Sequence, residues 1–115
     1  FKPDVMVAVD DVMDIKWHML DANESQMYEW LPWLDEALDA VPKDAEERFA
    51  WLKQAWEPWF SAPKGQWNDV LEKCYGVEKA KTLQYAEAFE LCEYGRQPNK
   101  TEIERLFPFF PKDRA

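Results

Sequence analysis

A chain of 115 residues, 47% of them hydrophobic, can bury one core and is too short for two full domains, which excludes a disordered chain. Its 14 Lys+Arg against 23 Asp+Glu leave a net charge of −9 with no basic run, a field that repels phosphate backbones and anionic lipid and so argues against nucleic-acid and membrane-surface partners. No apolar stretch approaches the ~18 residues of a spanning helix and no charged-then-apolar leader opens the chain, so the segment is expected to be soluble.

Pro3 to Val9 is the predicted opening strand, with valines at 5, 7 and 9 on one face. Asp10 or Asp11 then offers an N-cap carboxylate, and apolar residues recur at helical spacing through Ile15, Met19, Leu20, Met27 and Trp30 to about Leu31. Pro32 removes a helical N–H and predicts a kink or restart, with Trp33 to Ala40 as a second piece. Asp44 and Glu47 have the D-x-x-E form of a helix start, and Phe49, Leu52, Trp56 and Trp59 or Phe60 fall on one side of the helix they open. Pro58 is expected to end or bend that helix, and Ser61 to Gly65 to form a loop. Trp67, Val70, Leu71 and Cys74 mark a short helix closed by Gly76.

Between Val77 and Tyr94 the pattern admits helix or extended chain, and near 83–94 an extended segment is one of the two readings. Thr101 and Glu104 form a T-x-x-E box before the last helix, and F-P-F-F-P-K-D-R-A is an aromatic, proline-punctuated tail. The expected fold is therefore mainly α, a short N-terminal strand followed by about four to five helices in a single segment spanning 1–115. Seven Trp, seven Phe and four Tyr imply that much of its packing runs through rings. Cys74 and Cys92 belong to no metal-type cluster, and buried free thiols are the simplest reading beside one disulfide.

Polar residues inside the apolar stripe of the first helix carry the most information. On a wheel of about 100° per residue, Leu20, Asn23 and Met27 fall within roughly 40° of Lys16, and Gln26 within about 80°. Buried without partners, such groups cost on the order of 1–3 kcal/mol each, so the stripe predicts polar groups waiting across an interface. The alternative is that Lys16 snorkels and that Asn23 and Gln26 cap chain ends. His18 and Asp21 have metal-ligand spacing, but the only histidine stands on the polar face with no second His or Cys, so no metal site is assigned. No Ser-His-Asp order and no phosphate-cradling glycine loop is present, and no catalytic residue is assigned.

P-D-V-M-V-A-V-D-D-V-M-D-I-K-W-H-M-L-D-A-N-E-S-Q-M-Y-E-W, residues 3–30, resembles the C-terminal part of the LmbE-like (PIG-L) N-deacetylase family. In that family a late strand leads into a helix with an opening aspartate, a lysine, an alanine, a histidine and a Ser-Gln pair. Asp10 or Asp11, Lys16, Ser25 and Gln26 match; Leu20 replaces the alanine and Asn23 the histidine. Y-A-E-A-F at 85–89 resembles the family's Y-A-E-x-F segment and brings in Glu87, favouring an extended conformation beside the substrate side of the fold. The family's zinc motif P-H-P-D-D-E and its later metal histidine are absent from these residues.

What the resemblance implies is a zinc-dependent hydrolase on a Rossmann-like α/β parent, removing acetyl groups from N-acetylglucosamine-type amides with metal-activated water. This segment, which begins at Phe1, would be its C-terminal part, needing no cofactor of its own, partnered by an N-terminal α/β domain that holds the zinc. Lys16, Asn23, Gln26 and Glu87 are then the candidate substrate-cleft or interface residues. The alternative is a stand-alone Trp-rich helical module binding carbohydrate or protein.

Overall fold

The computed structural model describes residues 1–112; the last three residues of the tail, Asp113, Arg114 and Ala115, lie outside the described residues. The protein is mainly helical with one pair of antiparallel strands. Its contacts divide into two compact units, Phe1–Asp10 with the chain from Ser61 onward, and Asp11–Phe60. No helix among the described residues is long and apolar enough to cross a membrane.

The first unit contains β1 (Val5–Ala8), α4 (Asn68–Tyr75), α5 (Val77–Thr82), β2 (Ala86–Phe89) and α6 (Lys100–Leu106). The second contains α1 (Met13–Asp21), α2 (Leu31–Leu34) and most of α3 (Ala45–Gln66).

In the first unit, β1 and β2 pair with Val5 opposite Phe89 and Ala8 opposite Ala86, which resolves the extended reading of the 83–94 segment. Val9 N–H donates to the Tyr85 carbonyl at 3.1 Å, so the bonded pairs of the ladder include Val9·Tyr85 and Val7·Glu87. Ala86 and Ala88 consequently direct their backbone groups away from β1. A two-stranded ribbon is marginal by itself. This one is held by a core of Val5, Met6, Leu71, Cys74, Tyr75, Ala80, Leu83, Ala86 and Phe110, supplied by both strands, α4, α5 and the tail. Met6 and Leu71 are wholly buried, each worth about 1.5–3 kcal/mol relative to exposure.

Aspartates clamp both ends of the ribbon. Asp10 accepts from the backbone N–H groups of Gln84 (2.7 Å) and Tyr85 (3.2 Å), and Asp4 from that of Leu91 (2.8 Å). This corrects the expectation that Asp10 or Asp11 caps α1: Val12 precedes that helix and no side chain caps it. The carboxylate finds two N–H groups across the sheet instead of two along the chain. The Tyr75 hydroxyl accepts from Ala8 N–H at 2.9 Å, tying α4 to the outer edge of β1.

Four local expectations shift register or state. The first helix breaks after Asp21 instead of continuing to Leu31. Ser25–Trp30 then forms a π-helical stretch in which Leu31 N–H donates to the Gln26 carbonyl, five residues back, before Pro32 ends the ladder for want of an N–H. α3 runs unbroken through Pro58 and Pro63, so the 61–65 loop is helical. Proline's fixed φ is compatible with a helix, and each of the two prolines removes one N–H from the ladder and crowds the carbonyl four residues back. The start of the helix is capped as expected, Asp44 Oδ1 accepting from Glu46 N–H (3.0 Å) and Glu47 N–H (3.1 Å). α6 is capped two residues earlier than expected, by a reciprocal box of Asn99 and Glu102 instead of Thr101 and Glu104. Glu102 is held below the usual carboxylate range by the Asn99 backbone N–H it accepts, and by Arg96.

Gly76 closes α4 as expected, at φ 81° and ψ 153°, a region reserved for glycine. α2 ends differently. Glu36 takes the left-handed conformation (φ 55°), its N–H donating to the Trp33 carbonyl (3.1 Å) while Ala37 N–H donates to that of Pro32 (2.8 Å), the two bonds of a Schellman motif.

Replacing Asp10 by Ala removes two hydrogen bonds to a charged acceptor and is expected to lower unfolding free energy by about 2–3 kcal/mol, whereas Asp11→Ala, at an exposed neighbour, should change it by less than about 0.5 kcal/mol. Urea unfolding of the two variants separates clamp from cap, and equal effects would refute the clamp. Glu36→Gly relieves a positive-φ residue and should raise stability by about 0.5–1 kcal/mol in thermal melts, while a loss there would contradict the motif.

Candidate functional site

The face that α1 packs is not the face the wheel selects. Met13 and Trp17 are buried, with Trp17 edge-on to Phe60 at 5.1 Å. Ile15 is 63% exposed and Met19 64%, and Val12 and Trp30 are also exposed. The true packing direction lies between Met13 and Trp17, so about half of the predicted apolar stripe faces outward. The wheel's single phase also ends at Asp21, since the break at Ala22 and Asn23 and the π-helical turn both reset the rotation of the residues beyond.

Within the second unit, Lys16, Asn23 and Gln26 have separate surroundings. Lys16 is half-buried, its ammonium 4.3 Å from the centre of the Phe60 ring. Asn23 is exposed and its amide donates to the Met19 carbonyl at 2.7 Å, satisfying one of the orphan acceptors at the end of α1. Gln26 is exposed and lines an open groove with Ser25, Glu29, Trp30, Trp33 and Leu38. Glu87 lies in the other compact unit, on β2 opposite Val7, and is partly buried. His18 stacks on Phe49 at 4.8 Å and 18° between ring planes. Among the described residues no group of three His, Cys, Asp or Glu could hold a metal ion. Cys74 is buried and Cys92 exposed, both as free thiols, which corrects the expectation that both are buried.

A constellation that the sequence does not announce organises this part of the second unit. Tyr28, on the π-helical stretch, is buried and donates its hydroxyl to Asp21 Oδ1 at the end of α1. Arg48, from α3, lies with its guanidinium carbon 4.4 Å from the centre of the Tyr28 ring and pairs with Glu24 at 3.5 Å. Arg48 Nε is buried without a hydrogen-bond partner among the described residues. Met27, Tyr28 and Leu52 form the small apolar core beneath, with Leu52 wholly buried. Residues 21, 24 and 28 repeat at intervals of three and four, a signal that becomes legible only once Arg48 is known to lie beside them.

Burial pushes the Tyr28 phenol well above its ordinary value, and the hydrogen bond it donates to Asp21 adds to the effect while Arg48 opposes it. Because the folded-state value is raised, the neutral phenol's contribution is fully present below the unfolded value of about 10 and is lost as pH rises above that. Tyr28→Phe should therefore cost about 1.5–3 kcal/mol at neutral pH, and the gap from the wild type should close progressively above pH 10 in equilibrium unfolding. A gap that stays constant across that range would show that the hydroxyl's proton does not matter to the fold. In comparisons with protein-family models, with curated proteins and with solved structures, nothing matches this chain.

Proposed function

We propose that this chain is the C-terminal part of an LmbE-like N-deacetylase acting on N-acetylglucosamine-type substrates, where it completes the fold and supplies one wall of the substrate cleft. The observation that supports this reading is the pairing of β1 with β2. The two stretches that resemble the family, residues 3–30 and 85–89, are far apart in sequence yet meet through the strand pair, and Asp10, one of the two aspartates that can open the family pattern, accepts from the N–H groups of Tyr85, which begins Y-A-E-A-F, and of Gln84 just before it. Chance similarity in two unrelated stretches gives no reason for them to meet.

The role of fold completion draws on what is left uncovered. The sheet stops at two strands among the described residues, with the outward backbone groups of Ala86 and Ala88 in the pattern a third strand would extend. In the second unit, Ile15 and Met19 stand in water one helical turn apart, the arrangement of a helix face meant for a neighbour. The neighbour is the N-terminal α/β domain that carries the zinc and the water-activating groups. Gln26 and Lys16 then belong to the cleft or to its interface, acting on substrate position and not on proton transfer.

A second reading, a stand-alone Trp-rich module for carbohydrate or protein, draws on the groove beside Gln26, where exposed Trp30 and Trp33 flank Ser25 and Glu29. Rings for stacking next to hydroxyl, amide and carboxylate groups are what a sugar face requires.

The discriminating experiment expresses the gene's product with its upstream coding region. The longer protein is expected to bind zinc by mass spectrometry and to release acetate from N-acetylglucosamine derivatives, with Gln26→Ala lowering kcat/KM by about tenfold or more. The 115-residue chain alone should do neither. An upstream region without P-H-P-D-D-E, or a longer product that releases no acetate from any such amide, sinks the deacetylase reading. Saturable binding of N-acetylglucosamine by the isolated chain, shifting its Trp fluorescence, would favour the module.

A further inference from the structure

We propose that the groove between α3 and the Met27 to Ala37 segment binds an organic cation of the quaternary-ammonium class, held on the faces of Trp56 and Trp59 with the Asp35 carboxylate at its mouth. The inference does not depend on the deacetylase reading and concerns a different surface from the groove beside Gln26.

The recess arises from the spacing along α3. At about 100° per residue, Trp51, Ala55 and Trp59 succeed one another at intervals of about 40°, with Trp56 a further step of about 60° round. One alanine among three indoles leaves a hollow where a fourth large side chain would have filled the space. Met27, Leu31 and Pro32 also line it, and the recess, open on one side, has a volume of about 480 Å³, within the range of small-molecule sites. The Schellman closure of α2 sets the rim: it turns the chain so that Ala37 returns against the groove and Asp35, the last residue before the turn, lines it as well.

Charge then selects the ligand. Asp35 is the one charged residue lining the groove, no Lys or Arg lines it, and among the described residues the Asp35 side chain has no ion-pair or hydrogen-bond partner. The net charge of −9 favours approach of a cation. The Trp56 and Trp59 ring centroids are 6.4 Å apart with planes inclined at 39°, so they form neighbouring panels and not a stacked pair. A cation seated over their junction lies within about 6 Å of both centroids, the range in which a ring quadrupole attracts it. Trp59 is 72% exposed, an indole held in water at a groove wall.

A sugar suits the site less well. Its hydroxyl groups need several polar partners, and here one carboxylate stands among apolar side chains. Methyl groups on a charged nitrogen keep the apolar contact and satisfy the carboxylate without demanding hydrogen bonds.

The test uses the whole chain, labelled with ¹⁵N so that its indole N–H resonances report separately, titrated with choline, with its neutral carbon isostere 3,3-dimethylbutan-1-ol, and with N-acetylglucosamine. Choline is expected to shift the Trp56 and Trp59 resonances saturably and to bind about tenfold or more tighter than the isostere. Asp35→Asn should weaken choline about fivefold while leaving the isostere unchanged, and Trp59→Ala, at an exposed position, should weaken both. The proposal is overturned if the isostere binds as well as choline, if N-acetylglucosamine binds tighter than choline, if no saturable shift occurs, or if Asp35→Asn leaves the choline affinity as it was.

Discussion

The Asp10 carboxylate, bonded to the backbone N–H groups of Gln84 and Tyr85, is the constraint on which the first unit depends. Two short strands brought together across more than half the chain carry a large loop-closure cost and few hydrogen bonds of their own. A charged acceptor at one end and Asp4 at the other fix the register, and register decides which side chains face α4. With the strands so paired, Val5, Met6, Leu71, Cys74 and Phe110 belong to one core, and Tyr75 satisfies the outward N–H of Ala8. The same chemistry makes Asp10 unavailable as a helix cap, and α1 begins without one.

In the second unit a buried tyrosine has a comparable part. Its hydroxyl reaches Asp21 and its ring carries the Arg48 guanidinium, so one side chain joins the end of α1, the π-helical stretch and α3. Tyr28 lies on the wide i to i+5 turn, which Pro32 ends by withholding a donor. Trp30 and Trp33 are exposed beside Gln26, while Met27 and Leu31 line the groove with the Trp residues of α3. The second unit thus carries two grooves of different chemistry, one flanked by polar side chains and one nearly apolar with a single carboxylate among its lining residues.

These surfaces give the functional readings their different weights. The proposed deacetylase role draws on the pairing of β1 with β2. The ammonium site rests on ring geometry and charge alone. Nothing requires the two to share a ligand, since Gln26 lines one groove and Asp35, Trp56 and Trp59 line another.

Legibility varied with the range of the interactions involved. The strand at Val5, the helix start at Asp44 and the closure at Gly76 are each set by a few neighbouring residues, through β-branched side chains, a capping carboxylate and a residue free to adopt positive φ, and the sequence by itself determined them. The mainly helical character was likewise readable along the chain. The face of α1 that packs was not, because Ile15 and Met19 are as apolar as Met13 and Trp17, and only the position of Phe60 decides between them. Nor was the partner of Asp10, for which a helix N-terminus and a distant strand offer the same N–H groups. Where several residues or several partners are chemically equivalent, local physics leaves the choice open, and it is the tertiary structure, by bringing one set within reach and not the other, that makes it.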